Sequence, residues 1–461
     1  MNYGTRLAVI YAVVWFIDLL DSTILNVALP QVAKALNIDP VDAEWALIGF
    51  LLATTAGMVI SNPAANYLGS RRVFLFAQWL YLLSSLGCGL AGQFSHLVIF
   101  RVLQGLGGGV AIPIGMTLLM EAVPSNKWAK MGAWINLFAL IAPALGPILA
   151  GYITVHLSWP WLFFVKVPFS IIALGLTYCW LQDSLRRETE RFDWLGLYFL
   201  LPGMSLFLLV LSEVERSRFS NDILLALLIL SIVLLVAFFW HERRTPRPLL
   251  PLAIFRYPLF AWGNLIQSAA NVVFLGGTFL ISLYLQWGLG YDIVESGWVI
   301  SAVTIGMILA MPLTGAFYNR LGPLPYMIVG LLLMSSAMFA FLWATPGTPP
   351  WMLACLTFCE GFGSALLQTT NFVSIFSEIP NRFKGSASSV YTILKQLSAS
   401  FGVALSTMVL SIAMNGKGFE NLSARVPRDV FYPSIILLGT VPLLALLACF
   451  FIDNKRALRR S

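Results

Sequence analysis

Fourteen apolar runs, each roughly 20 residues long, leave this chain few folds to choose from. They begin near residues 7, 44, 73, 95, 131, 163, 194, 222, 259, 293, 325, 350, 385 and 431. A helix of that length crosses the hydrocarbon of a bilayer with its backbone N–H and C=O groups paired internally. Composition agrees, with 59% hydrophobic and 11% charged residues and a mean hydropathy of +0.82. The expected fold class is an all-α integral membrane protein with fourteen transmembrane helices. The first run is too long for a cleavable signal, and Asp18 and Asp21 interrupt its centre.

The net charge of +7 invites a nucleic-acid reading, but the placement of the charges opposes it. With the N-terminus inside, most of the 28 Lys and Arg fall in cytoplasmic connections, among them Arg71, Arg72, Arg186, Arg187, Arg243 and Arg244. This is the positive-inside pattern, and it predicts both termini in the cytoplasm. The five Cys lie inside apolar spans and the three His are scattered, so no disulfide framework or metal site is expected. No phosphate-binding Gly-x-x-x-x-Gly-Lys-Ser/Thr stretch and no nucleophile–base constellation is present, which argues against an ATPase and an enzyme. Energy is therefore expected from an ion gradient, without a cofactor.

Three sequence echoes at almost one spacing imply a duplication. Asn66-Tyr67-Leu68-Gly69 returns as Asn319-Arg320-Leu321-Gly322, 253 positions on. Gly105-Leu106-Gly107 returns as Gly361-Phe362-Gly363, 256 positions on, and Gly132 returns as Gly385 at 253. Two six-helix bundles explain these repeats. The expected organisation is residues 1–183 for the first bundle and 257–461 for the second. Residues 184–256 would hold cytoplasmic connectors and two extra, peripheral helices.

Within the first span, helical spacing gathers Asp18, Asp21, Ser22 and Asn26 on one broad face. A charge at the centre of a membrane helix costs about 3 kcal/mol on insertion scales, so such acids face a bundle interior or water and mark function by default. In the second half Asn264, Gln267 and Asn271 form one polar stripe, and Glu360, Ser364, Gln368 and Asn371 another. Lys395 lies on a third helix with Ser388 and Thr392. The stripes suit either a central cavity or hydrogen bonding between helices, and Glu360 with Lys395 could form an ion pair.

These residues together resemble the major facilitator superfamily, in particular its fourteen-span drug:proton antiporters, and the resemblance covers essentially the whole chain. Leu20, Asp21, Thr23, Ile24, Asn26, Val27, Ala28, Leu29 and Pro30 match the first-helix signature of that group. In the loop after the second helix Gly69 and Arg71 match, Arg72 stands one place further on, and Asn66 takes the place of the usual acid. The repeat copy keeps Gly315, Arg320 and Gly322, again with an amide, Asn319. Arg101-Val102-Leu103-Gln104-Gly105 is similar to the fourth-helix Arg-x-x-Gln-Gly motif. Gly146-Pro147, among small residues 142 and 150, resembles the fifth-helix antiporter motif. Lys166 stands where the family usually has Asn, and is expected to snorkel to the outer interface. Phe192-Asp193-Trp194-Leu195-Gly196 matches the start of the first extra helix of the group.

The resemblance implies a major facilitator fold, alternating access and proton-coupled export of small amphipathic or cationic compounds. Proton coupling would involve Asp21, Asp18 and Arg101, with Arg101 alternatively a structural hydrogen-bond hub. Asn26, Asn264, Gln267, Asn271, Glu360, Gln368 and Lys395 are the cargo-site candidates. Asn66, Gly69, Arg71, Arg72, Gly146, Pro147, Asn319 and Gly322 are the gating candidates. The partners implied are a small-molecule substrate, protons, the lipid of a bacterial inner membrane and, as an option, a periplasmic adaptor protein. A dedicated metabolite or siderophore exporter, an uptake symporter, or a non-transporting sensor or scaffold are the alternatives.

Overall fold

The computed structural model describes residues 2–36, 38, 43, 45–124, 127–182, 193–213, 220–245, 252–291, 293–414 and 426–452. Of the charged connectors expected at residues 183–193 and 241–257, residues 183–192 and 246–251 lie outside the described residues. Regular structure among the described residues is helical throughout. The first half comprises α1 (Tyr3–Ala35), α2 (Trp45–Leu68), α3 (Ser70–Gly89), α4 (Phe94–Ala122), α5 (Trp128–Ala139), α6 (Ile141–His156), the single turn α7 (Trp161–Phe164) and α8 (Val167–Trp180). Then come α9 (Trp194–Glu213) and α10 (Asn221–Arg244). The second half holds α11 (Pro258–Leu283), α12 (Ile293–Leu321), α13 (Pro323–Ala340), α14 (Pro350–Ser377), α15 (Lys384–Ala413) and α16 (Tyr432–Cys449). Among the described residues, 11 helices are long and apolar enough to cross a membrane.

Proline explains two breaks that divide expected spans. Pro143 has no N–H for the carbonyl of Ala139, and the helix interrupts at Leu140 between α5 and α6. Pro168 likewise has none for the carbonyl of Phe164, and the chain breaks between α7 and α8. The second break places Lys166 at the N-cap of α8, where its carbonyl accepts from the Ser170 N–H at 2.9 Å.

The duplication is visible in backbone geometry. Gly69 (φ 93°) and Gly322 (φ 72°) occupy the left-handed region at the same turn of their halves, and their N–H groups bond Ala65 and Tyr318 carbonyls, which are themselves 253 positions apart. A side chain is strained in that conformation, so glycine is required at both. On α4 and α14, a Cβ at Gly105 would lie 2.3 Å from the Phe50 carbonyl oxygen, and one at Gly361 would lie 2.0 Å from that of Val303. Phe50 and Val303 are again 253 positions apart. Bare backbone thus lets each fourth helix press against the second helix of its half.

The halves meet through α2 with α15 and through α5 with α12. Hydrogen bonds fasten them at the end that carries the Gly69 and Gly322 turns. Ser61 and Ser389 hydroxyls stand 3.1 Å apart, Asn62 Nδ2 donates to Ser386 Oγ at 2.9 Å, and Lys384 Nζ donates to the Met120 carbonyl at 3.3 Å. Slightly deeper, Ser388 Oγ donates to the Pro113 carbonyl at 3.0 Å. Helices α9 and α10 pair with each other, α9 rests on α2 and α15, and α10 leaves Leu225, Ile229, Val233 and Val236 exposed. Asp193 joins the pair: it accepts the Gly196 N–H at 2.9 Å and meets His241 Nε2 at 3.0 Å.

Candidate functional site

At the centre of the first half, one carboxylate holds two cations. Asp21 of α1 is fully buried, as is Arg101 of α4, and Lys166 is 1% exposed. Arg101 Nη1 donates to Asp21 Oδ2 at 2.6 Å and to Gln104 Oε1 at 2.8 Å, while its Nε donates to the Ala46 carbonyl at 3.3 Å. Lys166 donates to the other oxygen of Asp21. The guanidinium lies 4.2 Å from the Phe50 ring centroid, and the Lys166 ammonium lies 4.7 Å from that of Phe163. Burying three charges is tolerable only where they pair closely; both cations pair with Asp21, while Arg101 Nη2 and Gln104 Nε2 are left buried without a hydrogen-bond partner.

Lys166 therefore departs from expectation. It does not snorkel to an interface; it turns inward from the break before α8 and completes the Asp21 cluster. The signal was present in the sequence. A lysine between Phe163-Phe164-Val165 and Val167-Pro168 has apolar neighbours on both sides and a helix-breaking proline next to it. Such a lysine calls for a buried carboxylate.

Asp18, one turn before Asp21, has a different environment. Its Oδ1 is buried with no hydrogen-bond partner, and it faces a small cavity of about 20 Å³ inside the first half. Val14 and Ile17 of α1, Tyr81 of α3 and Gly108, Ala111 and Ile112 of α4 contribute the walls, with Gln78, Ser170 and Ala173. Gln78 and Thr177 bond each other at 2.9 Å, and the Tyr81 hydroxyl has no partner. A Cβ at Gly108 would approach Asp18 Oδ1 to 3.0 Å, so the acid lies directly on the seam between α1 and α4.

The polar stripes of the second half mostly bond one another. Asn371 Nδ2 donates to the Gly263 carbonyl at 2.8 Å and to Gln267 Oε1 at 3.3 Å, and Gln267 Nε2 donates to Asn271 Oδ1 at 3.3 Å. Asn264 Nδ2 donates to the Phe260 carbonyl, and Gln368 Nε2 to Ser364 Oγ. The pairing expected between Glu360 and Lys395 is not made. Glu360 is fully buried between α11 and α13, whereas the Lys395 ammonium lies over the Trp15 ring of α1, 5.4 Å from its centroid. The two carriers of charge point into different interfaces, because Glu360 lines the inside of its own half and Lys395 faces the other half. Beside Lys395, Tyr391 packs on Phe372 and Phe376, and Trp15 packs on Tyr11.

Among the gating candidates, Gly69 and Gly322 form the two matched turns. Arg71 Nη2 donates to the Tyr178 carbonyl at 3.1 Å, and Asn66 and Arg72 are exposed. Gly146 is buried in α6, a helix that packs on α1. Asn26, Pro147 and Asn319 belong to helices, but their side chains lie outside the described residues.

Residues 11–403 match the family model of the Major Facilitator Superfamily, a span that takes in the Asp21 cluster, both sets of repeats and the interface between the halves. The chain belongs to this superfamily. Its curated relatives include the Haemophilus influenzae "probable transport protein HsrA", 28% identical over 416 residues, with 89% of each chain covered. A "putative multidrug resistance protein MdtD" of Klebsiella pneumoniae is 28% identical over 428 residues, covering 93% of this chain and 90% of that one. An "uncharacterized MFS-type transporter YhcA" of Bacillus subtilis is 27% identical over 394 residues, covering 86% and 74%. Among solved structures, the proton:xylose symporter XylE aligns with a TM-score of 0.66 at 15% identity, covering 96% of this chain and 94% of that chain. The human organic anion transporter MFSD10 aligns at 0.65 and 16%, covering 98% and 100%. These likenesses establish a major facilitator fold and a multi-pass membrane transporter.

Proposed function

We propose that this transporter is a proton-coupled exporter of small amphipathic compounds, with Asp18 as the proton carrier. The observation that carries the reading is the contrast between the two acids of α1. Protonating Asp21 would break both buried ion pairs and leave Arg101 and Lys166 with only the charge of Asp18, which lies beyond ion-pair distance, so Asp21 acts as a fixed counter-ion in this conformation. Asp18 has an unpartnered oxygen in a largely apolar cavity, and adding a proton there removes a charge that nothing satisfies directly. Because that cavity lies within the first half, proton binding acts on the packing of α1 against α4 and so on the balance between conformations; it does not block cargo directly.

Fourteen crossings, with both termini in the cytoplasm, are read from the apolar runs and the basic connections of the sequence; among the described residues 11 helices are long and apolar enough to cross. In that orientation the hydrogen-bonded end between the halves would be the cytoplasmic one. Export fits the curated relatives named as multidrug resistance proteins and the Gly146-Pro147 stretch. The proton gradient supplies the energy, and no cofactor is invoked. Cargo would meet the surface between the halves formed by Tyr11, Trp15, Phe372, Tyr391 and Lys395. Aromatic faces suit lipophilic cations. Lys395 favours a second reading, an amphipathic anion, since among the described residues its ammonium meets a ring and no carboxylate.

The experiment is efflux of a fluorescent lipophilic cation and, in parallel, of a lipophilic anion from cells that express the protein, with and without a protonophore. Protonophore-sensitive efflux of either supports the exporter and selects the cargo charge. Efflux insensitive to collapse of the gradient contradicts proton coupling.

A further inference from the structure

The second half carries an acid that the coupling scheme above leaves unused. Glu360 of α14 is fully buried, and neither of its carboxyl oxygens has a hydrogen-bond partner among the described residues. It lies against α11 and α13: a Cβ placed at Gly277 would come within 2.9 Å of Glu360 Oε1 and 3.0 Å of Met338 Cε.

The charged and titratable groups of the packed elements leave Glu360 without compensation. Helix α11 has none in its sequence. Helix α13 has only Tyr326, in its first turn, and α12 has Glu295, Tyr318 and Arg320 near its two ends. On α14 itself Cys355 and Cys359 are neutral neighbours, and on α5 Lys130 stands in the first turn. An ionised carboxylate surrounded in this way has neither a counter-charge nor a donor, whereas the protonated acid carries no charge to satisfy.

The duplication shows why this position differs from its counterpart. Glu360 precedes Gly361 as Gln104 precedes Gly105, so the acid replaces a neutral amide of the first half. Three residues earlier, Thr357 replaces Arg101. Its hydroxyl donates to the Val299 carbonyl at 2.6 Å, as Arg101 Nε donates to the Ala46 carbonyl, and those two carbonyls are 253 positions apart. The cation is therefore lost in the second half while the acid is gained. Each half also places a carboxyl oxygen without a hydrogen-bond partner against a glycine across the seam between its first and fourth helices: Asp18 Oδ1 on Gly108, and Glu360 Oε1 on Gly277.

We infer that Glu360 is a second proton-binding site, protonated in the packing seen here and releasing its proton to water when the seam between α11 and α14 opens. Its part in transport rests on the carrier reading; its protonation does not. The direct test is infrared spectroscopy of the purified protein in lipid at neutral pH, comparing H2O with D2O. The wild-type protein should show a deuteration-sensitive carbonyl band of a protonated carboxylic acid that is missing in Glu360→Gln and retained in Asp18→Asn. Gly277→Ala, which crowds the carboxyl without removing it, should shift that band. A Glu360→Gln spectrum with the full wild-type band overturns the assignment. In proteoliposomes, Glu360→Gln should lower the proton-to-cargo ratio by one, and an unchanged ratio overturns the release step. If no cargo moves at all the exporter reading fails, and the infrared bands still decide the state of Glu360.

Discussion

Replacing Asp21 by Asn would remove the ion-pair partner of both Arg101 and Lys166, and breaking a buried pair in this way typically destabilises a protein by roughly 3–5 kcal/mol. Asp18→Asn removes no ion pair seen in the structure and should alter stability by less than about 1 kcal/mol. Thermal unfolding of both variants in one detergent checks the contrast; equal losses would mean that the two acids share one environment. Lys166→Met removes one of the two cations but leaves Asp21 paired with Arg101, so it should be milder than Asp21→Asn in the same measurement. At this scale the sequence was informative about which residues matter and less so about their partners. Two acids inside an apolar span, and an arginine inside another, were legible because a membrane penalises charge. Lys166, near one end of its run, reads as a lysine that reaches the interface unless the apolar neighbours on both sides and the adjacent Pro168 are weighed; the break before α8 turns it inward. Glu360 and Lys395 were expected to attract each other because both are charged, but helix rotation, which depends on neighbouring helices, sends them into different interfaces.

Helices, as elements, follow directly from apolar runs, since an unpaired backbone is not tolerated in hydrocarbon. The interruptions between α5 and α6 and between α7 and α8 follow from Pro143 and Pro168, yet they were not anticipated, because membrane helices often carry proline without breaking. The glycine echoes were visible as a repeat; what they do required coordinates, because close approach depends on which carbonyl lies opposite. Gly105→Ala would set a methyl group 2.3 Å from the Phe50 carbonyl oxygen, well inside contact distance. The α2–α4 interface must then spread, and the expected loss is about 1–3 kcal/mol. Gly132→Ala, with no atom within 4 Å of the added carbon, serves as the control and should be nearly neutral. A chemical-denaturation midpoint that moves equally for both would contradict close packing at Gly105.

For the whole molecule, two homologous halves fastened at one end predict a trap. In a background without the native cysteines, Ser61→Cys with Ser389→Cys should form a cross-link readily, since the two hydroxyl oxygens stand 3.1 Å apart. Oxidation should stop transport and reduction should restore it; transport that continues in the cross-linked protein would mean that this end does not open. Gly385→Ala, which would push a carbon to 2.0 Å from Asn62 Oδ1, should wedge the same end apart and raise labelling of nearby engineered cysteines. The repeated glycine turns and close approaches were legible in the sequence, whereas the way the halves meet depends on hydrogen bonds between positions more than 260 residues apart, which no local pattern specifies. The central claim is that Asp18 couples proton movement to cargo. Its most direct test is internal pH, reported by a dye in liposomes holding the purified protein, as lipophilic cations and anions are added. Cargo-dependent proton flux in the wild-type protein that disappears in a folded Asp18→Asn variant is the predicted result; the same flux surviving in that variant would contradict it.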